Sequence, residues 1–402
     1  MGALNLPVLD AEDVVWLRDQ EALPAAARVA AAALARRIGF DEQRQAEVAL
    51  AVSEAATNLR RHAVEGSLLL RAVRTPSDAG LECVTVDEGP GMADVVHSLS
   101  DGTSSAGTLG IGLGTISRLA DSFDLHSLPG RGTVLAARFW QKEAAVRMAA
   151  LGRPAVEGLT RSITGEEVCG DAWAARPTSG GPLPDRGPAP QGAPRPSRDE
   201  RFDWARLTGY RQPGTGPGSD GGTAAPQTRD AGNGQALLML LCDGLGHGPL
   251  AARAAQTAVH AFRDTGAEQP ETIMRDIHHA LRGGRGGAVA VVRVEPEAGT
   301  LAFCGVGNVS TFVVDPATGT RRSLPSAPGI VGHQLPTLRT VRQPLPPHSA
   351  VIMHSDGLTE RWRAETMPGF LERSPLVAAA QLLREAGVRR DDAGVVVAKG
   401  PW

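Results

Sequence analysis

Four hundred and two residues exceed what one hydrophobic core ordinarily organises, so at least two domains are expected. With 42% hydrophobic and 21% charged residues the composition is globular, and a formal net charge of -3 provides no positive field for nucleic acid or an anionic membrane. No apolar run reaches the ~20 residues that span a bilayer, and the opening MGALNLPVLDAEDVVW lacks the basic segment, apolar stretch and cleavage site of a leader, which predicts a cytoplasmic protein.

After a lead-in of about ten residues, apolar positions recur at helical spacing over 25–38 and 47–63, so two helices are expected first. Segments 67–75, 80–89 and 132–140 are rich in strand-forming residues and separated by Gly, Pro and Asp. Helices followed by a sheet predict an α/β layer. Residues 141–154 read as a linker or connecting helix, which puts the boundary near 150. From Arg176 to Gln235, 22 of 60 residues are Gly or Pro and no apolar period persists, which predicts a disordered insertion with FDWARLTGY (202–210) as the one piece suited to docking. Strand-like segments resume at 235–244, 288–295, 299–307, 309–315, 349–357 and 393–400, with helices at 249–264 and 374–387. Many strands with few helices predict a sheet sandwich flanked by helices. The cysteines, Cys83, Cys169, Cys242 and Cys304, form no C-x-x-C pair and lie in apolar surroundings, which reads as buried reduced thiols.

In the first half, Glu54 and Asn58 stand four apart on one helical face. A carboxylate that accepts a hydroxyl proton and an amide oxygen that ligates Mg²⁺ are two parts that phosphoryl transfer requires, although the same spacing also describes a solvated face. VTVDEGPGMAD (84–94) ends a strand with Asp87 and follows it with Gly89 and Gly91, a turn that lets backbone approach a ligand. GTLGIGLGT (107–115) then supplies Gly107, Gly110, Gly112 and Gly114 before an expected helix TISRLADSF, where backbone N–H groups can receive phosphate. The pattern is not that of a P-loop.

These motifs, in this order, resemble the GHKL family of ATP-binding domains, and within it the anti-sigma-factor and switch-kinase branch that phosphorylates serines on STAS-domain antagonists. The resemblance covers roughly residues 10–140 and is strongest over SDGTSSAGTLGIGLGTISRLADSF (100–123). It implies a Bergerat α/β sandwich, ATP and Mg²⁺ as cofactors, Glu54 as catalytic base and Asn58 as the Mg²⁺ ligand. Asp87 would bind the adenine amino group, Gly89 and Gly91 would shape the pocket floor, Gly110, Gly112 and Gly114 the lid, and Thr133 would support the adenine end. Members with such pockets also act by binding alone. The branch forms homodimers or larger assemblies.

In the second half, aspartates recur at turns beside strand-like segments: Asp171, Asp243, Asp356 and the pair Asp391–Asp392. Each alone reads as a turn residue; gathered together they would repel unless hard cations such as Mg²⁺ or Mn²⁺ lay between them. Their order resembles the PPM-type metal-dependent serine/threonine phosphatases, specifically the bacterial SpoIIE-type branch, over about 153–402, including RGGAVAVVRVEPEAGTLAFCGVGN (285–308) and PGIVG (328–332). The resemblance implies an α-β-β-α sandwich in which Asp243 bridges two Mn²⁺ or Mg²⁺ ions, with Asp171 and the Gly244 carbonyl on one side and Asp356 and Asp391 on the other. Of Asp391 and Asp392, Asp391 is favoured. Such a centre lowers the pKa of a bridging water and needs no protein nucleophile. Two departures stand out. The insertion separates Asp171 from Asp243, which slowly growing loop-closure entropy tolerates. Leu245 stands where animal-type members have their acidic histidine, leaving His247 or metal-bound water as the proton donor.

The expectation is therefore a kinase-like domain (8–140), a linker (141–152) and a phosphatase domain (153–402), both domains acting on STAS-domain antagonists in sigma-factor partner switching, with no nucleic acid or membrane as partner. The alternative retains the phosphatase and makes the first domain a non-catalytic, nucleotide-gated binding switch.

Overall fold

The computed structural model describes residues 8–18, 22–99, 112–178, 236–388, 390–400 and 402. Gly107, Gly110, FDWARLTGY and all of the proposed insertion beyond Thr178 lie outside them.

The first described element is a strand, not a helix. β1 (Asp10–Arg18) pairs antiparallel with β2 (Ser67–Arg74), which corrects the expectation that two helices lead the chain. DAEDVVWLR lacks the alternation that would announce a strand; its extended state comes from pairing along the free edge of β2. Helix α1 (Leu23–Arg37) begins with Pro24 in its first turn, and α2 (Glu42–His62) is capped by the Asp41 carboxylate, which accepts from the Arg44 N–H at 2.7 Å. Beyond β3 (Ala79–Val86) come α3 (Val95–Leu99) and α4 (Gly112–Leu119). The helix expected through residue 123 stops at Leu119. β4 (Ser122–Ser127) takes over because its backbone is recruited by β5 (Thr133–Trp140), beginning with the Asp121 N–H donating to Arg138 O at 2.9 Å. The sheet order is β1-β2-β3-β5-β4. Residues 142–151 form helix α5 (Lys142–Leu151), whose Ala144 and Met148 pack with Leu9, Val73 and Trp140.

The second half contains two further five-stranded sheets. One is formed by β6 (Val156–Arg161), β11 (Ser310–Val314), β12 (Arg321–Leu324), β14 (Ala350–His354) and β15 (Ala393–Lys399), in the order β12-β11-β14-β15-β6. The other, ordered β13-β10-β9-β8-β7, comprises β7 (Asp171–Thr178), β8 (Ala236–Gly244), β9 (Gly287–Glu295), β10 (Thr300–Val306) and β13 (Val341–Pro344). β7 runs to Thr178, so the first three residues of the expected insertion are strand. Arg176, Pro177 and Thr178 face Leu238, Leu237 and Ala236, and this pairing overrides their loop-like composition.

Helices α6 (Pro249–Asp264) and α7 (Pro270–Leu281) cover one sheet through Phe262 and Ile277 on Leu240 and Val291. Between the sheets, Met239, Val292 and Phe303 meet Val351, Met353 and Val396. The outer face of the other sheet carries α8 (Pro375–Ala386). Ten of its twelve residues are buried, since PLVAAAQLLREA is apolar nearly all round and has two surfaces to meet. Its other side lies on the N-terminal sheet, where Leu69, Val84 and Val134 join Ile352, Val395 and Val397 in one core. Alternate residues Leu68, Leu70 and Leu135 point to α1 and α2. The layers are thus α1/α2, sheet, α8, sheet, sheet and α6/α7.

A buried ionic network ties this seam. Glu82 accepts from Arg71 Nε at 2.6 Å and Arg138 Nε at 2.5 Å, and Arg138 also pairs with Glu157 of β6. Glu157 in turn accepts from the Leu376 N–H at the start of α8 (3.1 Å), and Arg71 donates to Gly158 O at 2.9 Å. Burial alone would push Glu82 up, but the two guanidiniums outweigh it and hold the carboxyl below its ordinary range. Among the described residues no helix is long and apolar enough to cross a membrane.

Candidate functional site

The first constellation forms around α2, whose Val48, Val52, Ala55 and Leu59 are buried and so leave Glu54 and Asn58 on a half-buried side. Gly112, the first residue of α4, sits directly over that pair. A Cβ there would stand 3.2 Å from Asn58 Oδ1 and 3.3 Å from Glu54 Oε2, so any larger residue would crowd both. Asn58 Nδ2 is buried and meets no acceptor among the described residues. Gly114 is buried one turn-half later in the same helix. Asp87 follows β3 and accepts from the Gly89 N–H at 2.7 Å, while its own N–H donates to Thr133 O at 3.0 Å. Burial raises its carboxyl, with the Gly89 and Thr133 backbone contacts pulling the other way. Gly91 adopts φ +64 and lies so near Leu128 that a Cβ would fall 2.0 Å from its carbonyl oxygen, a conformation and an approach that only glycine accommodates. The Thr133 hydroxyl is engaged with Ser127 Oγ at 2.9 Å. Glu54, Asn58 and Gly112 are thus gathered at one place, and Asp87, Gly89 and Thr133 at another. Gly110 lies outside the described residues.

The second constellation sits where strand ends meet. Asp171 opens β7 and Asp243 lies one residue from the end of β8, directly opposite it in register. Asp356 follows β14 and Asp391 precedes β15. Burial, followed by repulsion from Asp171 and Asp356, pushes Asp243 up to about 9. Asp171, only 4% exposed, is raised to about 7, first by burial and then by Asp392, Asp356 and Asp391, against a hydrogen bond from Ser355. Asp356 is raised by burial and by Asp391. Asp391 therefore acts on all three of the other acids, whereas Asp392 acts on Asp171 and has its Oδ1 occupied by the Ile163 N–H at 2.9 Å. Asp392 Oδ2 is buried without a partner among the described residues.

Among the described residues no three His, Cys, Asp or Glu side chains close into a ready metal cage. The residues nevertheless fit hard divalent cations held partly through water: every donor is oxygen, and burial with mutual repulsion raises Asp171 and Asp243, a shift that a cation between them opposes. The Gly244 N–H donates to Gly170 O at 3.0 Å, and a Cβ on Gly244 would come 2.3 Å from Ala251 O, so the chain passes tightly beside Asp243. Leu245 is 49% exposed and carries no proton, and His247 is exposed with Nδ1 3.3 Å from Glu166 Oε1. All four cysteines are free; Cys83, Cys242 and Cys304 are buried, while Cys169 is only partly so, at variance with the expectation.

The family model for histidine kinase-like ATPase domains matches residues 17–139, and that for stage II sporulation protein E matches 233–398. The serine/threonine-protein kinase RsbT of Bacillus subtilis is 36% identical over 115 residues, 86% of its length and 29% of this chain. The chain belongs to these families: a histidine kinase-like ATPase domain joined to a SpoIIE phosphatase. The phosphoserine phosphatase RsbX of the same organism is 25% identical over 122 residues, 30% of this chain and 61% of RsbX, so the chain spans less than two thirds of that relative. A crystal structure of RsbX in complex with magnesium aligns with 15% identity and a TM-score of 0.41, over 61% of this chain and 94% of that one.

The SpoIIE phosphatase domain holds two polar groups that sequence reading passed over. Ser355 Oγ donates to Asp171 Oδ2 at 2.6 Å and accepts from the Gly394 N–H at 2.9 Å. Asn308 Nδ2 donates to Asp356 Oδ2. Each orients an acid of the cluster, as supporting groups around metal ligands commonly do. Ser355 adjoins Asp356 in HSDG and Asn308 closes GVGN, so position beside a strand end was the available signal.

Proposed function

We propose that the chain is a metal-dependent phosphoserine/phosphothreonine protein phosphatase acting on STAS-domain antagonists in sigma-factor partner switching. In this reading residues 8–140 bind ATP and Mg²⁺ and residues 153–402 carry out hydrolysis in the cytoplasm, with 141–152 between them. Asp171, Asp243, the Gly244 carbonyl, Asp356 and Asp391 would hold two Mn²⁺ or Mg²⁺ ions. The observation that carries the reading is the gathering of four carboxyls with Asp243 raised to about 9. Bound cations supply Lewis acidity toward water and phosphoryl oxygens. The protein's own groups fix the donors: Ser355 steadies Asp171 and Asn308 steadies Asp356, while one oxygen of each of Asp391 and Asp392 accepts a backbone N–H, from Asp392 and Ile163 respectively. Glu54 would accept the hydroxyl proton in any kinase reaction, with Asn58 on Mg²⁺ and Asp87 on adenine.

The test is phosphate release from a phosphoserine STAS protein with Mn²⁺, with and without ATP, in the wild type, Asp243→Asn and Asn58→Ala. Release that requires Asp243 and responds to ATP only with Asn58 intact supports both sites; no release by the wild type overturns the metal centre.

The nucleotide-gated switch is favoured by a specific observation. α8 packs on the sheet that leads into Asp87, and its end is held to the Asp356 turn, with the Thr359 N–H donating to Ala386 O at 2.9 Å and the Val388 N–H to Gly357 O at 2.7 Å. ATP-dependent phosphate release without any phosphorylation of a STAS protein by the wild type supports the switch, whereas phosphorylation lost in Glu54→Ala with ATP binding retained supports a kinase.

A further inference from the structure

A phosphoseryl group arrives as a dianion, and the ionisable side chains gathered at the acidic cluster are carboxyls, of the same sign as the substrate. Bound cations answer part of that charge, but oxygens facing away from the ions need donors of their own. On the loop after Asp243, Leu245 carries no side-chain donor and His247 Nδ1 is drawn to Glu166.

Arg285 places a cation on the loop that follows Asp243. It is exposed, and its guanidinium rests on the loop that follows Asp243: Nη1 donates to Leu245 O at 3.3 Å, and a Cβ on Gly246 would come 2.7 Å from the same nitrogen. Among the described residues no other acceptor meets this guanidinium, so most of its five donors are uncommitted. Its backbone is clamped from both sides. The Leu245 N–H donates to Gly286 O at 3.1 Å, and the next residues pair in register as Gly287 with Gly244 and Ala288 with Asp243. His333 Nε2 lies 2.9 Å from Arg285 O, and Gly287 bridges to Val331. A free guanidinium on a backbone fastened to the two residues Asp243 and Gly244 is built as a receptor for a planar pair of oxygens.

We infer that Arg285 binds the non-bridging oxygens of the phosphoryl group and sets it in line for hydrolysis, an inference that rests on reading the acidic cluster as the reaction centre. Arg285 exchanges no proton: the bond from water oxygen to phosphorus forms, the bond from phosphorus to the seryl oxygen breaks, and that oxygen leaves with a proton derived from the water. The role is that of a substrate-binding residue.

The experiment follows Mn²⁺-dependent hydrolysis of p-nitrophenyl phosphate, and its inhibition by inorganic phosphate, in the full chain and in Arg285→Ala and Arg285→Lys. The expected result is a loss of kcat/KM by about 10- to 100-fold in Arg285→Ala, with inhibition by phosphate weakened to a similar degree. The Mn²⁺ activation midpoint and thermal midpoint stay at wild-type values, and Arg285→Lys recovers part of both losses. An active wild type with Arg285→Ala within twofold of it on both measures overturns the inference alone. A loss that comes with a shifted Mn²⁺ midpoint and unaltered phosphate inhibition also overturns it, because Arg285 would then support only the loop. A wild type that releases no phosphate overturns the phosphatase centre and this inference with it.

Discussion

Two clusters of buried charge respond oppositely to the same desolvation. At the seam, Glu82 and Glu157 are 0% and 2% exposed, yet arginines stand beside both, and Glu82 is held below the ordinary carboxylate range. At the strand ends, Asp171 is 4% exposed and faces further carboxyls, so it and Asp243 rise to about 7 and about 9. The first cluster closes on itself and joins the kinase-like sheet to the phosphatase sheet. The second has like charges within it and, in the proposed reading, would be completed by cations from outside. Buried carboxylates mark a reaction centre when the chain does not itself answer their charge, and mark architecture when it does.

That contrast breaks first at Asp243. Asp243→Asn should abolish Mn²⁺-dependent hydrolysis of p-nitrophenyl phosphate while leaving the thermal midpoint of the cation-free protein unchanged or higher, because the amide cannot ionise in this crowded site. Activity within tenfold of wild type would remove the cluster from the chemistry. At the seam the same type of change should damage the fold instead. Glu157→Gln leaves Arg138 with one fewer counter-charge and the buried contact weakened, with an expected cost of about 3–5 kcal/mol in urea unfolding. A loss below about 1 kcal/mol would show that apolar packing around α8 alone binds the halves.

Asn308→Ala sharpens the comparison at a supporting position: Mn²⁺ activation should shift by about 10- to 100-fold in midpoint, with activity largely recovered at saturating metal. The last effect is on pH. Folded-state values raised above the unfolded ones mean that the stability associated with protonated Asp171 and Asp243 is full below the ordinary carboxylate range and lost as pH rises through about 7 and about 9. In chelator the thermal midpoint should therefore fall between pH 6 and 9.5, and Mn²⁺ should cancel or reverse that slope. A flat profile in chelator would mean that the acids are not in mutual contact in solution.

Much of the candidate chemistry was legible because it lies in short local patterns. Glu54 and Asn58 share a side of α2 by helical spacing, and Asp243, Asp356 and Asp391 adjoin strands that announce themselves by apolar runs, whereas the strand that Asp171 opens does not. What was missed depends on neighbours remote in sequence. β1 and β4 are strands because edges of β2 and β5 were open to them, and Arg176–Thr178 are strand because β8 pairs with them. Ser355 and Asn308 carry no signal of their own, since a serine or asparagine beside a strand is ordinarily a turn residue.

The sequence by itself determined the helix and strand character of the long periodic segments, the acidic motifs, the glycine-rich turn and the all-round apolarity of α8. Only the tertiary structure decided what covers the two sides of α8, that Arg71 and Arg138 meet Glu82 and Glu157, and that Asp391 acts on three acids while Asp392 is drawn to Ile163. The physical reason is one of range: periodicity reports which side of an element avoids water, whereas burial energies and charge pairing depend on which surfaces the folded chain brings together.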